Sequence, residues 1–313
     1  MTQSIDDTLS LFRSQAAENP VYRQYLENLD CNPLGVSSLE EIPFLPVEFF
    51  RTHRVVSGPG REQLVFESSG TTGVQTSSHY VLDESLYLQS LEEGFRLLVG
   101  DPADFCILAL LPSYLERSNS SLVYMIDRLM KIGGNPDSGF FMHDLDELAG
   151  RLAQLEAVGR RSLLVGVSFA LIDLAEQHPI PLKNSIIVET GGMKGRREEL
   201  TRKQLHEILT GAFSVPVIWS EYGMTELLSQ AWSAGHGIFR TPPQMRVLIR
   251  DPYDPFRRMP AGKTGGIDVI DLANRHSCSF IQTQDLGRAH PDGTFEVLGR
   301  FDGSDIRGCN LLY

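Results

Sequence analysis

Four short stretches combine residue types that suit the handling of a phosphorylated ligand. Glu67-Ser68-Ser69-Gly70-Thr71-Thr72-Gly73 sets four hydroxyl side chains and two glycines into seven residues, directly after the apolar Leu64-Val65-Phe66. Glycine permits positive φ and leaves backbone N–H groups uncovered, so they can approach an anion, and the hydroxyls add donors that turn with it. Such a loop suits a polyphosphate, although Ser/Thr/Gly clusters also make ordinary solvated turns. Glu189-Thr190-Gly191-Gly192-Met193-Lys194 has a Gly-Gly pair that can leave room for a flat ligand, or simply close a tight turn. Ser220-Glu221-Tyr222-Gly223-Met224-Thr225-Glu226 supplies an aromatic face, a glycine, a hydroxyl and a carboxylate. A carboxylate is the ligand Mg²⁺ takes when it travels with phosphates. In Thr283-Gln284-Asp285-Leu286-Gly287, Asp285 can accept two hydrogen bonds from a ribose diol, or cap a turn.

Each stretch follows an apolar run of strand length, and in open α/β sheets ligands bind where loops leave the carboxyl ends of strands. For the last three these runs are Ile186-Ile187-Val188, Val217-Ile218-Trp219 and Ser279-Phe280-Ile281. Residues 4–29 read as one or two short helices interrupted at Asn19-Pro20, and Ser37-Ser38-Leu39-Glu40-Glu41 as a capped helix start. The segment 42–51 holds two prolines, which favour an extended course, and three phenylalanines expected in the core. Asp83 can cap a helix with Tyr87, Leu91, Phe95 and Leu98 on one face. Apolar strands are expected at 105–111, 162–167, 185–188 and 215–219. Between them lie helices near 120–131, around Leu145, Leu148, Leu152 and Leu155, within 168–184, and near 197–210. That alternation predicts a largely parallel sheet covered on both faces. From about 245 the pattern shifts to shorter β segments at 245–250, 265–271, 279–283 and 294–298.

The composition is that of a globular chain: 313 residues, 42% hydrophobic and 22% charged, with enough length for a sizeable core. A net charge of −12 with no long basic run argues against nucleic acid as a partner. The start shows neither a basic n-region nor an apolar h-region, and no apolar run approaches the ~20 residues that span a bilayer. Four scattered cysteines (Cys31, Cys106, Cys278, Cys309) suit neither a disulfide scaffold nor a zinc site. The expectation is a cytoplasmic protein with reduced thiols.

Taken in order, Ser68-Ser69-Gly70-Thr71-Thr72-Gly73, Tyr222-Gly223-Met224-Thr225-Glu226, Asp285-Leu286-Gly287 and Leu298-Gly299-Arg300-Phe301-Asp302 resemble the motifs of the adenylate-forming superfamily. That superfamily comprises acyl-CoA synthetases, peptide-synthetase adenylation domains and luciferases, and the resemblance covers roughly residues 40–313. Within it, three further stretches resemble the LuxE-type acyl-protein synthetases of bacterial fatty acid reductase systems. They are Pro43-Phe44-Leu45-Pro46-Val47-Glu48-Phe49-Phe50-Arg51-Thr52-His53, Leu111-Pro112-Ser113-Tyr114-Leu115-Glu116-Arg117 and Gly191-Gly192-Met193-Lys194-Gly195. The ending Asp305-Ile306-Arg307-Gly308-Cys309-Asn310 agrees.

The resemblance implies an α/β fold, the large N-terminal domain of the superfamily, with parallel-rich sheets covered by helices and a smaller β-rich part from about 245. Residues 1–300 would form that domain and 301–313 a C-terminal stub. It implies an ATP site in which Ser68, Ser69, Gly70, Thr71, Thr72 and Gly73 clasp the β- and γ-phosphates. Tyr222 and Gly223 would lie against adenine beside Gly191 and Gly192, Thr225 would contact the α-phosphate, Glu226 would hold Mg²⁺, and Asp285 and Arg300 would bind the ribose. Cys309 resembles the family's acyl-accepting cysteine; Arg307 beside it would lower its pKa, though a free cysteine is also a common small core filler. Cys106 and Cys278 look inert, and His53 and His143 look structural.

Two features depart from the superfamily pattern. Val74-Gln75-Thr76-Ser77-Ser78 follows the glycine loop where most members have Pro-Lys, leaving His79 as the nearest candidate cation. Only thirteen residues follow Arg300, so the mobile C-terminal domain and its catalytic lysine are not expected. Lys194, Arg117, Arg307 or a partner subunit would then supply the missing positive charge. The leading expectation is an ATP-dependent acyl-protein synthetase that activates a fatty acid and loads it onto Cys309 for a reductase or acyltransferase partner. One alternative keeps adenylation but passes the acyl group to coenzyme A, a carrier protein or an amine. A second is a non-catalytic nucleotide-binding subunit, against which the joint presence of Glu226, Asp285 and Arg300 argues.

Overall fold

Continuous apolar runs alternating with one-sided helices need a sheet buried on both faces, and the chain builds one. In the computed structural model, which describes residues 4–68, 76–112, 119–142, 144–191 and 200–301, it has six strands. Their order is Gly139–Phe140, Cys106–Leu110, Ser162–Val167, Ser185–Thr190, Trp219–Tyr222, Ala231–Ser233. Every pairing is parallel except the last. All residues of Cys106–Leu110 and Ser162–Val167 are buried, although successive side chains point to opposite faces, so both faces are covered. The cover comes from helices Glu84–Leu98, Ser121–Gly133, Leu145–Ala157, Ser168–Gln177 and Arg202–Phe213, whose apolar stripes share one core with the strands. Asp83, Ser120, Asp144 and Thr201 cap four of these through side-chain oxygens.

A second sheet is antiparallel, in the order Ile238–Phe239, Phe295–Arg300, Phe280–Ala289, Thr264–Asp271, Met245–Arg250. Leu45–Pro46 adds to Phe280–Ala289 in parallel. Helices Ile5–Glu18 and Pro20–Asn28 lay Leu9, Phe12, Ala16, Tyr22 and Leu26 into this core. They break at Asn19, which ends the first and caps the second by accepting from the N–H groups of Val21 and Tyr22, both at 3.1 Å. An isolated bridge, Trp232 to Arg240, joins the two sheets. A separate hairpin, Leu64–Glu67 with Ser78–Val81, packs Phe66 and Val81 against Tyr87, Tyr124 and Leu228.

Three sequence expectations shift. The segment 42–51 is extended only at Leu45–Pro46 and then forms one helical turn, Phe49–Thr52; Phe44 and Phe50 are buried and Phe49 partly so. The strand expected at 215–219 begins at Trp219, because Pro216 carries no N–H for a ladder, and it runs on through Tyr222. The strand expected to stop at 283 continues to Ala289, so Asp285 sits inside it rather than in a following loop.

Candidate functional site

The parallel strands deliver their carboxyl ends to one region, and the antiparallel sheet reaches the same place. Tyr222 closes its strand with a buried ring set edge-on to Phe239 and Phe295, at centroid distances of 6.0 and 5.6 Å. Its hydroxyl donates to Asp285 Oδ2 at 2.8 Å. Asp285 pairs across the antiparallel ladder with Arg300, whose Nε lies 3.4 Å from Asp285 Oδ1. Burial pushes the Asp285 carboxyl up, opposed by the Tyr222 hydrogen bond and the Arg300 charge. Residues 63 apart in sequence thus meet through their functional groups.

Downstream of Tyr222 the chain turns at Thr225 and Glu226, where Leu227 N donates to the Met224 carbonyl at 3.1 Å. At Gly223 a Cβ would stand 2.4 Å from Glu221 Oε1 and 3.3 Å from Gln230 Cγ, so a side chain would have to displace the Glu221 carboxylate. Glu226 is 4% exposed, and burial pushes its carboxyl pKa upward against the Ser77 side chain and the charges of Arg51 and Arg300. The Asn274 Nδ2 group donates to the Glu226 carbonyl at 2.8 Å. Asp271 secures the next residues, accepting from Leu228 N, Ser229 N and Ser229 Oγ at 2.7, 2.9 and 2.6 Å. A buried carboxylate so placed is favoured in its charged form by a cation, and its hard oxygens suit Mg²⁺. Among the described residues no group of three or more His, Cys, Asp or Glu could hold a metal ion.

Gly191 leaves its strand with φ of +68° and open space where a Cβ would stand, and Ser168 Oγ donates to its carbonyl at 2.6 Å. Before it, Glu189 is held charged by His206, Arg202 and Ser220, although burial works against that charge. Its neighbour Glu221 accepts from Thr190 Oγ1 at 2.6 Å and is pushed up to about 7 by burial, with the Glu189 charge adding to the effect. Across the site, the hairpin stem is closed at Ser68, whose Oγ accepts from Ser77 N at 2.9 Å and whose N–H donates to Ser77 O at 3.0 Å.

Solved structures share this architecture. The ATP-bound MatB from Rhodopseudomonas palustris matches with a TM-score of 0.59 at 17% identity, over 77% of this chain and 49% of its own. A 2-hydroxyisobutyryl-CoA ligase in an open conformation, in complex with 2-HIB-AMP and CoA, gives 0.68 at 13% identity, over 96% of this chain and 74% of its own. The luciferase-like enzyme from the nonluminescent Zophobas morio mealworm gives 0.56 at 17%, over 79% and 60%. The chain shares the fold of these three proteins. The chain spans about half the length of the MatB chain. No family model matches the sequence, and no curated protein is similar to it.

Within that fold the structure brings together Tyr222, Gly223, Thr225, Glu226, Asp285 and Arg300, with Ser68 at the hairpin stem and Gly191 at a strand end. Ser69, Gly70, Thr71, Thr72, Gly73, Gly192, Lys194, Arg117, His143, Arg307 and Cys309 lie outside the described residues. His79 does not supply a positive charge, because burial drives its pKa down to about 4 and keeps the ring neutral. Cys106 and Cys278 are buried, and burial raises both thiol pKa values, Cys278 to about 12, which keeps them unreactive. Sequence reasoning passed over Arg51, Ser77, Asn274 and Asp271. Only Arg51 carried a signal, a cation after an apolar run; the others matter through tertiary contacts. No helix among the described residues is long and apolar enough to cross a membrane.

Proposed function

We propose that this chain activates a carboxylic acid with ATP and passes the acyl group to its own Cys309 as a thioester. The acid's carboxylate oxygen attacks the α-phosphorus of ATP, the bond to the bridging oxygen breaks, and pyrophosphate leaves. The Cys309 thiolate then attacks the carbonyl of the resulting acyl-adenylate, and AMP leaves. Asp285, braced by Tyr222 and Arg300, takes the ribose hydroxyls; Thr225 takes the α-phosphate; Gly191 and Gly192 leave room for adenine beside Tyr222 and Gly223. Ser68, Ser69, Gly70, Thr71, Thr72 and Gly73 bind the β- and γ-phosphates. Mg²⁺ bound by Glu226 and phosphate oxygens would neutralise the charge that two approaching anions build up. Lys194 supplies a further cation.

One observation carries this reading. Tyr222, Asp285, Arg300 and Glu226 converge in a fold shared with a ligase whose structure holds an acyl-AMP. A fatty acid as substrate, a cytoplasmic site and a reductase or acyltransferase as recipient follow from the LuxE-type motifs. Residues 1–300 act as the adenylating domain and 301–313 as the acyl-carrying stub.

Intact-protein mass after incubation with ATP, Mg²⁺ and a panel of fatty and aryl acids tests it. The expected result is an added acyl mass that hydroxylamine removes and Cys309→Ser lacks. A second reading, transfer to coenzyme A, is favoured by the coenzyme A in the 2-hydroxyisobutyryl-CoA ligase complex. It wins if AMP forms only when coenzyme A is added and no acyl mass appears.

A further inference from the structure

His79 is buried on the hairpin strand Ser78–Val81, and its Nδ1 lies 2.8 Å from the carbonyl oxygen of Thr225. A carbonyl oxygen only accepts, so Nδ1 carries the hydrogen. Phe50 stands edge-on to the ring at 5.8 Å and fixes its plane. Nε2 lies against the Asn274 side chain, outside hydrogen-bond geometry. The hairpin meets the same turn a second time, because the Ser77 side chain stabilises the Glu226 carboxylate. Ser77 in turn is bonded to Ser68 at the stem. On the other side Asn274 holds the Glu226 carbonyl. The turn bearing Thr225 and Glu226 is therefore clamped between the hairpin and Asn274, and the histidine is the rigid member of the clamp.

We propose that His79 is a positioning residue for Thr225 and Glu226, its Nδ1–H holding their turn against the hairpin stem so that the Glu226 carboxylate is in place before Mg²⁺ and nucleotide arrive. This rests on the nucleotide-site reading above. Groups that orient a metal-binding side chain from behind contribute about 10–100-fold to metal affinity or activity. The effect belongs to the Mg²⁺- and phosphate-dependent part of nucleotide binding and leaves the adenosine part, at Tyr222 and Asp285, untouched.

The test compares His79→Asn, whose amide can place a donor near the Nδ1 position, with His79→Gln, whose donor sits near Nε2. Calorimetry on the whole chain gives the dissociation constants of adenosine and of the Mg²⁺ complex of β,γ-methylene-ATP. Relative to wild type, His79→Gln should weaken the Mg²⁺-nucleotide about tenfold and leave adenosine within about twofold, while His79→Asn stays near wild type on both. Without nucleotide, amide hydrogen exchange over 225–229 should quicken in His79→Gln and not in His79→Asn. Equal behaviour of the two variants, or parallel losses of adenosine and Mg²⁺-nucleotide affinity, overturns the positioning role and leaves the nucleotide site standing. A wild-type protein that binds neither ligand overturns both.

Discussion

Replacing Glu221 by Gln should stabilise the protein at alkaline pH and do almost nothing at acid pH. The Glu221 side chain folds back under Gly223, accepts from Thr190 and lies beside the charged Glu189. Burial, then the Glu189 charge, moves its pKa from 4.5 to about 7. The folded state therefore holds a proton between those values that the unfolded chain has lost, so stability falls as pH rises through this window. Moving from 4.5 to about 7 corresponds to about 3 kcal/mol at full development, at 1.36 kcal/mol per tenfold change in proton affinity. With an unfolding entropy of about 2.1 cal/mol/K per residue, a chain of this length converts that to about 4–5 °C in Tm. Gln keeps the shape and an acceptor for Thr190 but never ionises. Thermal melts at half-unit steps from pH 5 to 8.5 should show the variant's advantage opening from near zero to that size. An advantage that is flat with pH, or that grows towards acid, would refute the assignment of the proton to this pair.

Tyr222→Phe should cost about 1–3 kcal/mol in denaturant unfolding, because Asp285 loses its 2.8 Å donor inside the fold, and should weaken adenosine binding in parallel. Arg202→Met removes the guanidinium that lies 3.4 Å from Glu189 and donates to the Val297 carbonyl at 2.6 Å; calorimetric unfolding should register about 1–3 kcal/mol, because the buried Glu189 carboxylate loses a cationic partner. Gly287→Ala should destabilise by about 1–3 kcal/mol in urea titration, since its Cβ would stand 2.5 Å from the Glu296 carbonyl oxygen and 2.6 Å from Ile267 Cδ1.

The parallel sheet was readable because burial on both faces demands unbroken apolar runs, and residues 106–110 and 162–167 obey it. Helix starts were readable where a side chain does the capping, as at Asp83 and Asn19. Boundaries failed where the site begins. Ser220 and Glu221 look like loop residues, yet they are strand, since they pair with Glu189 and Thr190 in the parallel ladder and the Glu221 carboxylate accepts from Thr190. Thr283-Gln284-Asp285-Leu286-Gly287 looks like a turn, but Asp285 is kept in the ladder by Tyr222 and Arg300, and the strand accommodates Gly287 with a register shift. The short strand Ser78–Val81 was invisible: only His79 and Val81 are buried, and its partner lies across the glycine-rich loop. The site residues themselves were legible as types, while their supports, Ser77, Asn274 and Asp271, were not, because a serine, an asparagine or an aspartate becomes informative only when its partner is known.

The site belongs to neither sheet alone. Tyr222 ends a parallel strand and Glu226 lies just beyond it, whereas Asp285 and Arg300 are neighbours in the antiparallel ladder. Among the described residues the gap is spanned by the Tyr222 ring against Phe239 and Phe295, the Tyr222–Asp285 hydrogen bond, Asp271 accepting from Leu228 and Ser229, the Trp232–Arg240 bridge, and Arg202, which joins Glu189 of one sheet to Val297 of the other and covers Phe239. The second core takes in Tyr222 and Ala231 from strands of the first sheet, so the two cores are continuous at this seam. The constellation exists only when both cores are in place and in register. A ligand bridging Gly191, Tyr222 and Asp285 would therefore favour the docked arrangement by mass action, in proportion to its concentration over its dissociation constant. Polar contacts complement the apolar packing at that seam. They fix direction and register, and they oppose the burial that works against the charge of Glu189, Glu226 and Asp285.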